Sequence, residues 1–177
     1  IQSSVFAPDP PNVGIKRGYI GYMRKEDGDI GNEIDSTVKQ IIDQWYENNL
    51  LNFSNYLDVE AGFCGDRTLT LYDRENSSTS TFKCIDVEND LYTVSSAMIG
   101  NKALEYPIGM ISADEVILAG IDGDYTSELH FLNSDITYWT MTPYTYFNLF
   151  LVSEDGRRSQ NSLSTADIGV RPVVNLR

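Results

Sequence analysis

The sequence predicts one domain that mixes two helices with several short strands, and three observations carry that expectation. Val38, Ile41, Ile42 and Trp45 recur at i, i+3, i+4 and i+7, the spacing of one apolar helix face. Ser112 and Glu115 stand at capping-box spacing ahead of Val116, Ile117 and Leu118, which predicts a second, shorter helix. Residues 136–177 read as three strands, with Asp155-Gly156 as the strongest hairpin signal in the chain. At 177 residues the chain has room for one full core and not for a second large domain.

Composition narrows the classes of partner. Thirteen basic against twenty-six acidic residues give a net charge of −13, which repels phosphate backbones and argues against nucleic acid. The longest apolar run, residues 116–121, is far shorter than the ~20 residues of a membrane-crossing helix, so no direct membrane insertion is expected. Ala7-Pro8-Asp9-Pro10-Pro11-Asn12 is stiff and polar, so residues 1–14 read as a linker or trimmed terminus ahead of a single domain over 15–177. The two cysteines, Cys64 and Cys84, lack metal-type spacing and are expected to form a disulfide around nineteen intervening residues. Such a link is worth about 3 kcal/mol and implies an oxidising compartment. Two buried free thiols are the alternative.

Along the chain, residues 15–24 form a candidate strand, and residues 26–33 an acidic loop. Asp27 and Asp29 tempt a calcium reading, but Gly31, Asn32 and Val38 occupy the fifth, sixth and twelfth positions, where an EF-hand loop needs Asp or Asn, Gly and Glu. The first helix is capped by Asp35 or Ser36 and ends near Asn48-Asn49, with Lys39, Gln40, Asp43, Gln44 and Glu47 facing outward. A short helical turn is expected at 53–57 and short strands near 69–71, 82–85 and 92–94. The second helix ends at Gly120, and Asp122-Gly123-Asp124 makes a second acidic turn. In the closing stretch a two-residue type I′ turn at Asp155-Gly156 would pair 147–154 with 157–163. A last strand follows over 169–176, in which Pro172 requires an edge, a bulge or a strand end.

The pattern Tyr138-Trp139-x-x-Thr142-Pro143, then a hairpin, then Gly169-Val170-Arg171-Pro172-Val173-Val174 resembles the C-type-lectin-fold domains of bacterial surface and phage-associated proteins. The same fold family includes formylglycine-generating enzymes and retroelement-diversified variable proteins. The helix at 36–49 and the segment at 106–115 are similar to that group as well. The resemblance implies an α+β, C-type-lectin-like fold: two helices, small antiparallel sheets and long loops that present a ligand surface. Two departures limit what carries over. Glu-Pro-Asn, Gln-Pro-Asp and Trp-Asn-Asp, the triplets of calcium-dependent sugar binding, do not occur, and no cysteine follows Cys84, where the formylglycine-generating branch needs active ones.

His130 is the only histidine, so any Ser-His-Asp or Cys-His mechanism would run through it. Its apolar setting, Leu129-His130-Phe131-Leu132, favours a structural role, and pairs such as Asp122 and Asp124 do not stand out among so many acids. No enzyme activity, cofactor or metal is expected. The candidate ligand-binding residues are Tyr144, Tyr146, Asn148, Arg157, Arg158, Gln160 and Asn161, because Tyr gives large contact area for two torsions and Arg gives directed donors. The expected function is an extracellular or cell-surface binding or adhesion module that uses the C-terminal hairpin to recognise a protein or glycan on another cell or surface. A structural subunit or decoration domain of a pilus, cell surface or phage particle is the rival expectation. A hypervariable ligand-binding protein is the third.

Overall fold

The computed structural model describes residues 37–65, 80–94, 102–121, 130–143, 148–162 and 168–177. The expectations for residues 1–33, for the strand near 69–71 and for Asp122-Gly123-Asp124 lie outside them. Among the described residues the fold is mixed α+β, with few helices and small sheets. In chain order they are α1 (Thr37–Asn49), a 3-10 helix (Leu51–Tyr56), β1 (Phe63–Cys64), α2 (Val87–Asp90), β2 (Leu91–Thr93), β3 (Lys102–Ala103), β4 (Gly109–Met110) and α3 (Ala113–Leu118). The closing stretch adds β5 (Tyr138–Pro143), β6 (Asn148–Val152), β7 (Arg158–Ser162), β8 (Gly169–Val170) and β9 (Pro172–Val173).

The first helix forms where the periodicity places it, with its buried stripe rotated. Val38, Ile42 and Tyr46, at i, i+4 and i+8, are buried, while Ile41 and Trp45 flank the stripe half-exposed. Tyr46 becomes central because its ring stacks on Tyr106 with centroids 5.0 Å apart. Lys39, expected to face outward, is instead buried, and its ammonium is paired with Asp43 one turn on. The helical turn expected at 53–57 is the 3-10 helix, none of whose residues is buried.

Three small sheets follow, in strand orders β1-β2-β3, β4-β9 and β7-β6-β5-β8. They are not purely antiparallel: β2 with β3 and β5 with β8 run parallel. Among the described residues the closing stretch contains five strands where three were expected, because Tyr138–Pro143 forms a strand of its own and the chain changes sheets at Arg171. Gly169 and Val170 pair with Tyr138 and Trp139, whereas Pro172 and Val173 pair with Met110 and Gly109. Pro172 thus opens a strand, a position that tolerates its missing N–H. Gly169 is required where two chain segments meet closely: a Cβ there would lie 3.1 Å from the Thr137 carbonyl oxygen and 3.0 Å from Ile136 Cδ1.

Residues 82–85 do not form the expected strand. The Thr81 hydroxyl accepts from Lys83 N (3.1 Å), a local turn that competes with a ladder, and Cys84 is bonded to Cys64 across a Cα–Cα distance of 5.5 Å. The cysteine pairing is the disulfide expected from the sequence, and it suggests an extracellular or otherwise oxidising environment.

The β5 strand is the hub. Its alternation sends Trp139 and Met141 into a core shared with α1, Phe63, Tyr92, Ile108, Leu149 and Leu151. Tyr138 enters a second core with Val116, Ile121, Leu132 and Val152. Both faces are therefore covered, and the polar groups on β5 must find partners inside the protein. Thr140 Oγ1 donates to the Phe150 carbonyl (3.0 Å), and Thr142 Oγ1 accepts from Ala113 N (2.8 Å), one of the amides that the start of α3 leaves without an intrahelical partner. Met141 N donates to the Ile111 carbonyl (2.9 Å). These bonds give the Thr142 of the aromatic-Trp-x-x-Thr-Pro segment a physical role, since it fastens α3 to the sheet. Replacing Thr142 with Val keeps the shape and leaves the buried Ala113 amide without an acceptor, so urea unfolding should show a loss of about 1–3 kcal/mol with an unchanged m-value.

Candidate functional site

The β6–β7 hairpin carries most of the candidate residues, and its backbone register is continuous from Asn148↔Ser162 to Val152↔Arg158. Its turn differs from the expected two-residue type I′. Ser153 N donates to the Arg157 carbonyl and Gly156 N to the Ser153 carbonyl, both at 2.8 Å, and Gly156 has φ 77°. This is a three-residue loop closed by a left-handed glycine. The Ser153 side chain explains the choice: its hydroxyl accepts from Arg157 N (3.2 Å) and has both the Asp155 carboxylate and the Arg157 carbonyl (2.9 Å) in reach as acceptors for its single proton. That Ser153 bond, followed by the Arg157 amide and charge, holds the Asp155 carboxyl below its ordinary range.

The two arginines at the hairpin have separate surroundings. Arg157 is exposed, with its Nε 3.3 Å from Asp155 Oδ2. Arg158 is half-buried, with its guanidinium carbon 5.4 Å from the centroid of the Phe150 ring. The charge of Arg158 also reaches Asp114 in the first turn of α3. Gln160 and Asn161 stand opposite Phe150 and Leu149 in the register, on the strand that forms one edge of the four-stranded sheet, and Asn148 opens β6. Tyr144 and Tyr146 lie outside the described residues. The structure thus brings Arg157, Arg158, Gln160 and Asn161 onto one hairpin arm, but with Arg158 engaged by Phe150 and Asp114 and not presented beside Arg157.

Asp114 is a residue that the sequence marks only by its place inside a capping box. That box is present: Ser112 Oγ accepts from Glu115 N (3.2 Å) while Glu115 Oε2 accepts from Ser112 N (2.7 Å). Asp114 is buried beside it and accepts from Thr81 N (2.9 Å), tying the disulfide-bearing segment to α3. The signal that could have identified it is weak, since an acid in the first turn of a helix is ordinarily solvated.

His130 has the structural role that its apolar context favours. Its Nε2 lies 2.6 Å from the Ala119 carbonyl, and its Nδ1 accepts from Leu132 N (3.1 Å), so the ring is the tautomer protonated at Nε2. Next to it, Arg171 of the Gly-Val-Arg-Pro segment donates to the Leu132 carbonyl (2.7 Å) and the Phe131 carbonyl (3.2 Å), and its guanidinium lies 5.2 Å from the Tyr138 ring centroid. Tyr138 Oη donates to the same Leu132 carbonyl (2.8 Å). Among the described residues no group of three or more His, Cys, Asp or Glu side chains is arranged to hold a metal ion, and no helix is long and apolar enough to cross a membrane.

No family model, no curated protein and no solved structure matches the chain.

Burial pushes the Asp114 carboxyl above its ordinary value of 3.8, opposed by the Thr81 amide and the charge of Arg158. A carboxyl raised in the folded state binds more protons there than in the unfolded chain, so its ionisation lowers stability as pH rises through that range. Asp114→Asn retains an acceptor for Thr81 N and removes the charge. The variant should therefore be more stable than the parent at pH 7 in chemical denaturation, and the gain should vanish as pH falls below 3.8.

Proposed function

We propose that the chain is an extracellular or cell-surface, non-catalytic binding module that recognises a protein or glycan through its C-terminal hairpin. The observation that carries the reading is the contrast between the two arms. The first arm buries Leu149, Phe150, Leu151 and Val152, while the second is an edge strand of sequence Arg158-Ser-Gln-Asn-Ser162 with Arg157 exposed at its base. An apolar arm bearing a polar edge strand suits recognition, because pairing with β6 positions the backbone of that edge. The Cys64–Cys84 disulfide supports the extracellular placement. The resemblance of the Trp139–Pro143 and Gly169–Val174 segments to lectin-fold surface domains supports a ligand-presenting role, and without the calcium triplets the contact would be direct and not metal-bridged.

A fluorescent form of the protein tested on immobilised glycans and on intact bacterial and epithelial cells checks the reading. The expected result is saturable binding that falls at least tenfold when Tyr144, Tyr146 and Arg157 are replaced together by Ala. Arg157 serves better than Arg158 in that variant, since removing Arg158 would also disturb Phe150 and Asp114. Undiminished binding by the triple variant would remove the hairpin from the account.

A further inference from the structure

We infer that the 3-10 helix Leu51–Tyr56 is a second ligand site, separate from the hairpin, and that its ligand is a short, neutral oligosaccharide. A 3-10 helix has three residues per turn, so residues at i and i+3 eclipse and its side chains stand in three rows. Phe53 and Tyr56 form one row, Asn52 and Asn55 the next, and Leu51 and Ser54 the third. All six residues are exposed, Phe53 at 54% and Tyr56 at 69%, so an aromatic row stands in solvent beside a row of amides.

Core packing does not account for this surface. Val38, Ile42 and Tyr46 before the helix and Leu57 after it are buried in the main core, whereas neither Phe53 nor Tyr56 joins it. The helix is nevertheless held at both ends. Leu50 N donates to the Tyr46 carbonyl (2.7 Å) and Phe53 N to the Leu50 carbonyl (2.8 Å). At the far end Leu57 N donates to the Ser54 carbonyl (3.1 Å), Arg177 N to the Tyr56 carbonyl (3.0 Å) and Asp58 N to the Asn175 carbonyl (2.8 Å). Six residues are a long run for a 3-10 helix, and these braces set the backbone from which the two rings project. A backbone fixed before binding loses little entropy when a ligand arrives.

Side-chain chemistry selects the ligand. A sugar ring presents C–H groups on its faces, which pack on the electron-rich face of an aromatic ring, and hydroxyls around its rim. Each hydroxyl is both donor and acceptor, and so is the Asn amide. Asn48 and Asn49 are used within α1, donating to the Gln44 and Trp45 carbonyls (2.8 and 2.7 Å), while Asn52 and Asn55 lie exposed in the row beside the rings. Charge disfavours acidic sugars: residues 51–56 carry none, and Glu47, Asp58 and Glu60 border them against Arg177, in a chain of net charge −13. Size disfavours a protein partner or a second copy. At ~2 Å per residue the helix is roughly 12 Å long, and its face is too small for the ~800 Å² that each side of a stable protein interface buries.

Amide chemical-shift titrations test the inference, with chitotetraose and cellotetraose as neutral probes and tetragalacturonate as the acidic one. At least one neutral probe should bind in the millimolar range or tighter, and at least tenfold more tightly than tetragalacturonate. The largest shifts should fall at residues 51–57 and not at 148–162. Phe53→Ala with Tyr56→Ala should weaken that binding at least tenfold, and Asn52→Ala with Asn55→Ala at least threefold. All four replaced side chains are exposed, and circular dichroism with thermal unfolding confirms that each double variant is folded before it is titrated. Absence of binding by both neutral probes, shifts centred elsewhere, preference for tetragalacturonate, or undiminished binding by either double variant would overturn the inference. So would self-association of the parent in sedimentation that the aromatic substitutions abolish, since that would assign the helix to a second copy.

Discussion

The Leu132 carbonyl, gripped by the Arg171 guanidinium and the Tyr138 hydroxyl, is the contact through which the second core is assembled. Tyr138 belongs to β5, Arg171 to the joint between β8 and β9, and Leu132 to the loop that follows the helix α3 through His130. One arginine thus joins three segments distant in sequence, and it does so at the residue where the chain leaves one sheet for another. A charge-assisted pair of bonds to backbone carbonyls is stronger and more directional than apolar contact alone, so it fixes the loop where packing would only attract it. Lys would supply a single point charge without the planar fork that spans two successive carbonyls.

On the same face of β5 the same logic operates with threonines. Thr140 and Thr142 are fully buried on a strand covered on both faces, a position where apolar residues are the rule. Each is satisfied by backbone, and through Thr142 the first amide of α3 is tied to the sheet. The helix has only six residues, too few to be stable alone, and its position depends on these bonds together with its own capping box. The hairpin is attached to this frame through β6.

Local chemistry is legible in the sequence, and distant pairing is not. The capping box at Ser112 and Glu115, the cysteine pairing, the existence of α1 and the hairpin all follow from patterns a few residues long or from a single pair of cysteines. The phase of α1 escapes periodicity because i+3 and i+4 neighbours compete, and the Tyr106 ring that favours Tyr46 lies sixty residues away. The hairpin turn differs from expectation because Asp155-Gly156 suits either loop length, and a side chain outside that pair, Ser153, decides between them. Nothing local indicates that β2 and β3 run parallel, or that residues 169–176 divide between two sheets. Of the candidate site, the polar character of the β7 arm is visible in the sequence, while the engagement of Arg158 by Phe150 and Asp114 depends on tertiary placement.

The proposed hairpin surface depends on β5 and its polar contacts forming one cooperative frame from which it is presented. Native-state hydrogen exchange of the Ala113, Leu132 and Met141 amides, followed as a function of low denaturant, tests this directly. The three are bonded to Thr142, His130 and Ile111 respectively, so they should exchange only through global unfolding, with a common free energy and the full denaturant slope. Exchange of Ala113 or Leu132 through a denaturant-insensitive local opening, well below the free energy found for Met141, would contradict the single frame.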